Sequence, residues 1–221
     1  MMERFKDRRE AGRLLGSELR RDPSIRGDST VVLALPRGGV PVAYGVARAL
    51  HAPLAAFVVR KLGVPWHPEL AMGAIASGGV RIVNDEVAQA LGIGPDIIDR
   101  VAERESRELA RREALYNGSR SVPPLAGRTV VLVDDGLATG STMRAAVQAV
   151  KQQHPGRVIV AVPVGAPDTC AQLAREADDV ACLRQPAAFN AVGSWYEVFD
   201  QTSDAEVREL LDAASQATAV R

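Results

Sequence analysis

At 221 residues the chain is long enough for one α/β domain and can bury about 70–75% of the surface its unfolded form would expose. Lys plus Arg and Asp plus Glu each number 27, so the formal net charge is zero; this speaks against a nucleic-acid groove or an anionic membrane surface and leaves small molecules as the expected partners. Cys170 and Cys182 match no zinc spacing and make no disulfide framework, Met1 to Glu10 is charged, and no later run approaches roughly 18 apolar residues, so a cytoplasmic protein with reduced thiols is expected.

Residues 3–21 alternate charges with Phe5, Ala11, Leu14, Leu15 and Leu19, near the spacing of a helix with one buried stripe. Residues 1–28 hold eight basic and six acidic side chains, a mixture that suits a docking helix with a solvated outer face better than a basic arm for DNA. Asp22-Pro23 and Arg26-Gly27-Asp28 end it, and Val31 to Leu35 is the first strand. Its exit, Pro36-Arg37-Gly38-Gly39-Val40-Pro41, precedes a helix to about His51. Gly38 and Gly39 allow the φ > 0 geometry that turns successive N–H groups toward one anion, and Arg37 adds a fixed positive charge, although Gly-Gly before a helix is often only a tight turn.

Pro53 to Val59 reads as a second strand with the basic pair Arg60-Lys61 at its end. From Leu62 to Glu69, two prolines and a glycine forbid regular structure, and His67 and Glu69 are either loop residues or ligands carried by that loop. Gly73 to Val83 reads as a hairpin around Ser77-Gly78-Gly79, and Asp85 to Leu91 as a short helix. Gly94-Pro95 introduces a longer helix to about Asn117. Six acids and six arginines within residues 95–120, with acid-first pairs such as Asp96–Arg100, Glu103–Arg107 and Glu108–Arg112, argue for a largely solvated helix. Ile97, Ile98, Val101, Leu109 and Leu115 are too sparse for a buried one, which leaves packing on a second subunit, as in a homodimer, open.

The densest chemistry follows Val130 to Val133, a buried strand that runs into Asp134-Asp135-Gly136-Leu137-Ala138-Thr139-Gly140-Ser141-Thr142-Met143. Carboxylates at a strand end can accept from vicinal hydroxyls or hold water around a divalent cation. Ala138 to Thr142 is a phosphate cradle, in which small residues let backbone N–H groups converge, hydroxyls add donors, and the next helix presents its N-terminus. The bland alternative is a turn aspartate followed by a capping hydroxyl; the joined arrangement between a strand and a helix favours a sugar phosphate. Beyond it, a helix from Ser141 to Gln153, a strand from Arg157 to Pro163, a helix from Pro167 to Ala177 and a strand from Asp179 to Leu183 keep the alternation expected of a parallel sheet covered on both faces, with ligand loops at the carboxyl ends of its strands. Residues 185–201 break the alternation: four of the nine aromatics fall between Phe189 and Phe199, before a final helix from Asp204 to Ala214.

The stretch from Val130 to Met143 resembles the signature of the type I phosphoribosyltransferases, which bind 5-phosphoribosyl-1-pyrophosphate (PRPP). The resemblance implies an α/β, Rossmann-like parallel sheet in a single domain over residues 1–221, with a mobile lid at about 62–83 and a small hood that includes about 185–201. By position, Asp134 and Asp135 become the ribose residues and, through water, the magnesium residues; Ala138, Thr139, Gly140, Ser141 and Thr142 become the 5′-phosphate loop. Gly38 and Gly39 fall in the pyrophosphate loop, and Arg37 and Lys61 would stabilise the departing pyrophosphate, Lys61 being preferred to Arg60. An aromatic of the hood, Phe189 or Trp195, would stack on a heterocycle, or these aromatics simply close the core.

The implied reaction is magnesium-dependent phosphoribosyl transfer from PRPP to a small nitrogen acceptor, a nucleobase, in nucleotide metabolism. Hypoxanthine–guanine enzymes carry an acid where this chain has Ala138, orotate enzymes cluster further lid bases after their lysine, and Asp-Asp-x-Leu-Ala-Thr-Gly looks most like adenine enzymes. The chain as a whole is similar to bacterial members without an assigned acceptor. A PRPP-sensing regulatory module without turnover is the rival from another class, weakened by the zero net charge; a ribose-phosphate hydrolase is a third, without an evident nucleophile and base.

Overall fold

The computed structural model describes residues 3–118, 120 and 122–219. Its centre is a sheet of five parallel strands in the order β2-β1-β6-β7-β8, formed by β1 (Thr30–Ala34), β2 (Leu54–Ala56), β6 (Thr129–Val133), β7 (Arg157–Val164) and β8 (Asp179–Arg184). The inner strands β1, β6 and β7 are rich in buried aliphatic residues because both their faces are covered. Val32, Ala34, Val131, Val133 and Ile159 face one buried layer, and Val31, Leu33, Val130, Leu132 and Val160 face the other. The first layer is closed by α1 (Arg8–Leu19), α2 (Gly39–Leu50), α4 (Pro95–Asn117) and α7 (Asp204–Ala219), and the second by α5 (Ser141–Lys151) and α6 (Pro167–Leu173). Among the described residues no helix is long and apolar enough to cross a membrane.

Strand order decides where a ligand can sit. After β1 the chain moves outward to β2, then returns across β1 to place β6, β7 and β8 on the other side. The crevice between the carboxyl ends of β1 and β6 is therefore the topological switch point, where open α/β sheets bind their ligands. Ala34 is in register with Val133, and the Leu35 N–H donates to the Val133 carbonyl at 2.9 Å. The exit of β1 thus runs beside Asp134.

A second sheet departs from the sequence reading. The segment from Leu62 to Glu69 is regular: β3 (Val59–Val64), a turn at Pro65 and Trp66, and β4 (His67–Ala76) form an antiparallel hairpin that β5 (Val80–Val83) extends. Pro65 occupies the turn, and the register jumps from Val64↔His67 to Gly63↔Ala71, so Pro68 falls among residues that the ladder skips. Arg60 and Lys61 consequently lie inside β3 of this sheet, not at the end of β2, which stops at Ala56. The expected hairpin around Ser77-Gly78-Gly79 is present, with φ +86° at Gly78 and +74° at Gly79. The expected short helix follows it as α3 (Asp85–Ala90), capped by the Asn84 side chain, which accepts the Val87 N–H.

The long helix α4 also corrects the reading. Counting large aliphatics alone hides a continuous buried stripe of Ile98, Val101, Ala102, Glu105, Leu109 and Tyr116, and the helix packs on β3, β4 and α7 within the same chain. Its Glu105 is held by Arg60 at 2.9 Å, and Asn117 exchanges two 3.0 Å hydrogen bonds with the Ala56 backbone, closing the edge strand β2. On α1 the buried face is Ala11, Gly12, Leu15, Gly16 and Leu19, whereas Leu14, expected in that stripe, is 46% exposed.

Helices α1 and α2 cross on glycine. A Cβ at Gly12 would overlap the Val42 carbonyl, and one at Gly45 would stand 2.6 Å from the Gly12 carbonyl carbon. Gly12→Ala is expected to lower stability by about 1–3 kcal/mol, read as a fall in the urea midpoint at unchanged slope. Gly94→Ser, at an open helix N-cap with nothing within 4 Å, should leave the midpoint unchanged or raise it slightly.

Candidate functional site

Asp134 and Asp135 leave β6 at the switch point, both half-buried. The Asp134 carboxylate accepts the Asp135 N–H at 2.8 Å. The Asp135 carboxylate accepts from Arg8 Nε at 2.8 Å, an ion pair whose side chains are only 12% and 16% exposed. Arg8 in turn donates to the Asp200 carbonyl at 2.7 Å and lies 3.8 Å over the ring of Phe199. Burial pushes both carboxyls above their ordinary range. For Asp134 the neighbouring Asp135 charge pushes further, and for Asp135 the Arg8 guanidinium pulls part of the way back.

The glycines of the β1 exit meet this pair, for a reason other than the one expected. Gly38 is in the right-handed helical region, φ −59°, and Gly39 already opens α2, so neither supplies a positive φ. A side chain at Gly38 would stand on the Asp135 carboxylate, and a Cβ at Gly39 would lie 2.7 Å from the Val133 carbonyl and 2.9 Å from Asp134 Cα. They are needed for close approach.

The cradle side is built against α6. Leu137 bridges to Gly165 at the end of β7, its N–H donating to the Val164 carbonyl at 2.9 Å, while the Thr169 hydroxyl donates to the Ala138 carbonyl at 2.7 Å. Gly140 takes φ +67°, the one left-handed position in the loop, and caps α5. Ala138 and Thr139 are exposed, the Thr139 and Ser141 hydroxyls lie 3.4 Å apart, and Ser141, Thr142 and Met143 form the first helical turn, whose N–H groups have no intrahelical carbonyl. Small, outward-facing and donor-rich, this loop can receive an anion.

The segment 185–201 roofs the acid side. A short 3₁₀ turn, Val192–Trp195, sets Val192 against Gly136, and the buried Tyr196 hydroxyl donates to the Asp135 carbonyl at 2.6 Å. Tyr196 also lies 5.0 Å from the ring of Phe199 and 5.5 Å from that of Phe5. Burial raises its phenol above the ordinary range, so it remains a donor. Of the two roles open to these aromatics, Tyr196 takes core closure; Phe189 and Trp195, half-exposed, rest on the same small cluster.

Not every expected residue converges. The Arg37 guanidinium is turned 3.8 Å from Asp204 on α7, an acid that also accepts from the Tyr116 hydroxyl at 2.8 Å. Lys61 is exposed on β3, while its neighbour Arg60 is committed to Glu105. His67 is exposed at the start of β4, and the Glu69 side chain lies outside what the structure describes. Sequence patterning misses two participants. Arg8 comes from a charge-rich stretch 127 positions from its partner, with no local sign, and Tyr196 is visible only as one of a group of aromatics.

Among the described residues no three His, Cys, Asp or Glu side chains form a cage for a metal. Asp134 and Asp135, with one guanidinium on Asp135, do suit a hydrated divalent cation that shares its shell with ligand phosphates, the manner in which magnesium is commonly held.

A family model described as phosphoribosyl transferase domain matches residues 5–197. Two Mycobacterium tuberculosis proteins, from strains CDC 1551 and H37Rv, are provisionally named phosphoribosyl transferases and are 48% identical to this chain over 213 residues, 96% of its length. The chain spans about half, 47%, of the length of these relatives. The crystal structure of TT1426 from Thermus thermophilus superposes with a TM-score of 0.84 at 41% identity, covering 94% of this chain and 97% of that one. The AQ2163 protein of Aquifex aeolicus shares the fold at 14% identity, with a TM-score of 0.51 over 84% of this chain and 78% of that one.

The raised carboxyls predict a pH signature. A folded value above the unfolded one means that ionisation, as the pH climbs through the folded value, weakens the fold, and that the penalty vanishes below the unfolded value near 3.8. Asp134→Asn keeps the acceptor for the Asp135 N–H and loses the charge. Its melting temperature without ligand should exceed that of the natural chain at pH 8, by about 2–4 °C per kcal/mol relieved, and the gain should shrink as the pH falls to 4. A lower melting temperature at pH 8 would show that the pair carries no such cost.

Proposed function

The chain belongs to the phosphoribosyl transferase domain family and has the fold of its type I members, and from that membership we propose that it transfers the phosphoribosyl group of PRPP to a small nitrogen acceptor, releasing pyrophosphate. The observation that carries this reading is the meeting, at one switch point, of the Asp134–Asp135 pair, the Gly38–Gly39 approach and the open hydroxyl loop from Ala138 to Thr142. A sugar phosphate needs acceptors for its vicinal hydroxyls and donors for its phosphate, and this crevice offers both within a few residues.

In the proposed reaction the bond from the anomeric carbon to pyrophosphate breaks as a bond to the acceptor nitrogen forms, through an oxocarbenium-like transition state, and the proton of that nitrogen is lost to water or to the departing pyrophosphate. Asp134 and Asp135 accept from the ribose 2′- and 3′-hydroxyls and fix the ring. The loop from Ala138 to Thr142 anchors the 5′-phosphate; each charge-assisted hydrogen bond is worth about 1.5–3 kcal/mol, so a few suffice for a specific site. Arg37 and Lys61 serve the departing pyrophosphate. The Arg37 contact with Asp204 is long and half-exposed, so little opposes re-aiming its guanidinium toward the crevice. Magnesium, held through water by Asp134 and Asp135, would neutralise the leaving group. Residues 62–83, built as the second sheet, supply the lid that keeps water out.

The acceptor follows from an absence of charge. Ala138 places no acid beside the ribose site, so a nucleobase that must lose a proton there has no partner from the loop. An adenine-like or another small nitrogen heterocycle is the proposed acceptor.

Two measurements test this. Calorimetry with PRPP and magnesium should show binding to the natural chain and a loss of roughly a hundredfold or more in the Asp134→Asn, Asp135→Asn double variant; undiminished affinity would remove the pair from the site. A panel of nucleobases and amines with magnesium and PRPP, followed by pyrophosphate release, should respond to adenine-like heterocycles and little to hypoxanthine or guanine. Robust guanine transfer would refute the Ala138 argument, and tight PRPP binding with silence across the panel would favour a sensor that binds without turnover.

A further inference from the structure

Helices α1 and α2 frame an open groove of about 660 Å³ that the proposed reaction does not use. It exists because the helices cross on Gly12, Gly16 and Gly45: with backbones this close the floor is shallow, and the long side chains flanking the seam stand up as walls. Arg9, Arg13 and Ser17 follow one another every four residues along α1 and so share a face, and Tyr44 and Arg48 face them from α2.

The charge in this groove is unbalanced. The carboxylate nearest Arg9 is Glu206, at 4.0 Å and at the limit of an ion pair. Among the described residues no carboxylate lies within 4.0 Å of the guanidinium of Arg13 or Arg48. The acids that α1 does carry are engaged elsewhere, Glu10 by the Lys6 N–H and Glu18 by Arg21. Guanidinium groups cannot shed their charge, so a chain of zero net charge concentrates three fixed positive charges on one concave surface. Arg9 and Arg13 stand one helical turn apart, roughly 5–6 Å, a spacing that serves a row of phosphates better than a single one. Beside them Tyr44 is half-buried, with the Arg48 guanidinium 5.9 Å from its ring centroid, and offers an aromatic face next to the charges. The volume falls within the range of small-molecule sites and holds about one nucleotide.

We propose that this groove binds a nucleoside polyphosphate, with Arg9, Arg13 and Arg48 on the phosphate chain and Tyr44 against the base. None of the residues that line the groove is among those placed at the β1–β6 crevice, and the proposal does not depend on the transfer reaction. The test is calorimetric titration of the full chain with ATP in the presence of excess ribose 5-phosphate, a ligand that the proposed function assigns to the crevice. Binding should persist under the sugar phosphate and fall at least roughly tenfold in Arg13→Ala, Arg48→Ala, two exposed positions outside the crevice, with the melting temperature as a check on folding. Tripolyphosphate should compete with ATP and adenosine should not, and Tyr44→Ala should weaken ATP more than tripolyphosphate. No binding of ATP to the natural chain, or equal binding to the double arginine variant, would overturn the site; equal losses for ATP and tripolyphosphate on Tyr44→Ala would overturn the nucleoside half of the assignment.

Discussion

Two adjacent carboxylates set half out of water, with one guanidinium to answer them, are the constraint around which this molecule is arranged. Their charge cannot be dispersed into solvent, so the surroundings are fitted to them. The β1 exit is stripped to glycine where it passes beneath, α1 delivers Arg8 to Asp135, and Tyr196 takes the Asp135 carbonyl. A pair of carboxylates answered by a single guanidinium costs stability and is kept only where something else repays it. On the proposed function, a ligand that donates hydroxyls and arrives with a cation would do so, and the same groups that weaken the empty protein would supply affinity for it.

The sheet supplies the rigid part of the arrangement. Parallel strands covered on both faces fix the ends of β1 and β6 side by side, and the register of Ala34 with Val133 brings the glycine approach to the acid pair. The hydroxyl loop gains its shape from a different neighbour. Thr169 and Gly165 hold its Leu137–Ala138 portion from α6 and the end of β7, and Val164 joins the two halves of the crevice, its carbonyl taking the Leu137 N–H while its side chain packs with Phe5 and Tyr196. A substitution at Thr169 in α6 acts first on the hydroxyl loop, through the Ala138 carbonyl.

Much of this is legible in the sequence because it is local. The aliphatic runs of β1, β6 and β7 and the acid-to-hydroxyl stretch after Val133 announce both the sheet and the crevice within windows of a dozen residues. The errors share a physical origin. Gly63, Pro65 and Pro68 read as breakers, but a hairpin with an irregular register places Pro65 in its turn, Pro68 in its unpaired stretch and Gly63 at a register shift, paired with Ala71. In α4, alanine and a paired glutamate complete a buried stripe that a count of large aliphatics misses. Gly38 and Gly39 point to the crevice through their backbone freedom, whereas their use there is the absence of a side chain. Arg8 is invisible to any local reading, since nothing distinguishes it from the charges around it.

The tie from Arg8 to Asp135, Asp200 and Phe199 also fixes when the crevice can be finished. Sequence separations of 127 and 192 residues mean that these contacts carry a large loop-closure cost and form only after the central sheet has brought the chain's distant parts together. On a ribosome the acid pair emerges well before Tyr196 and Phe199, so the nascent domain holds its two carboxylates unroofed until about 65 further residues have been added. The charged pair is thus roofed only when the aromatic segment reaches it, shortly before α7 is added to the other layer.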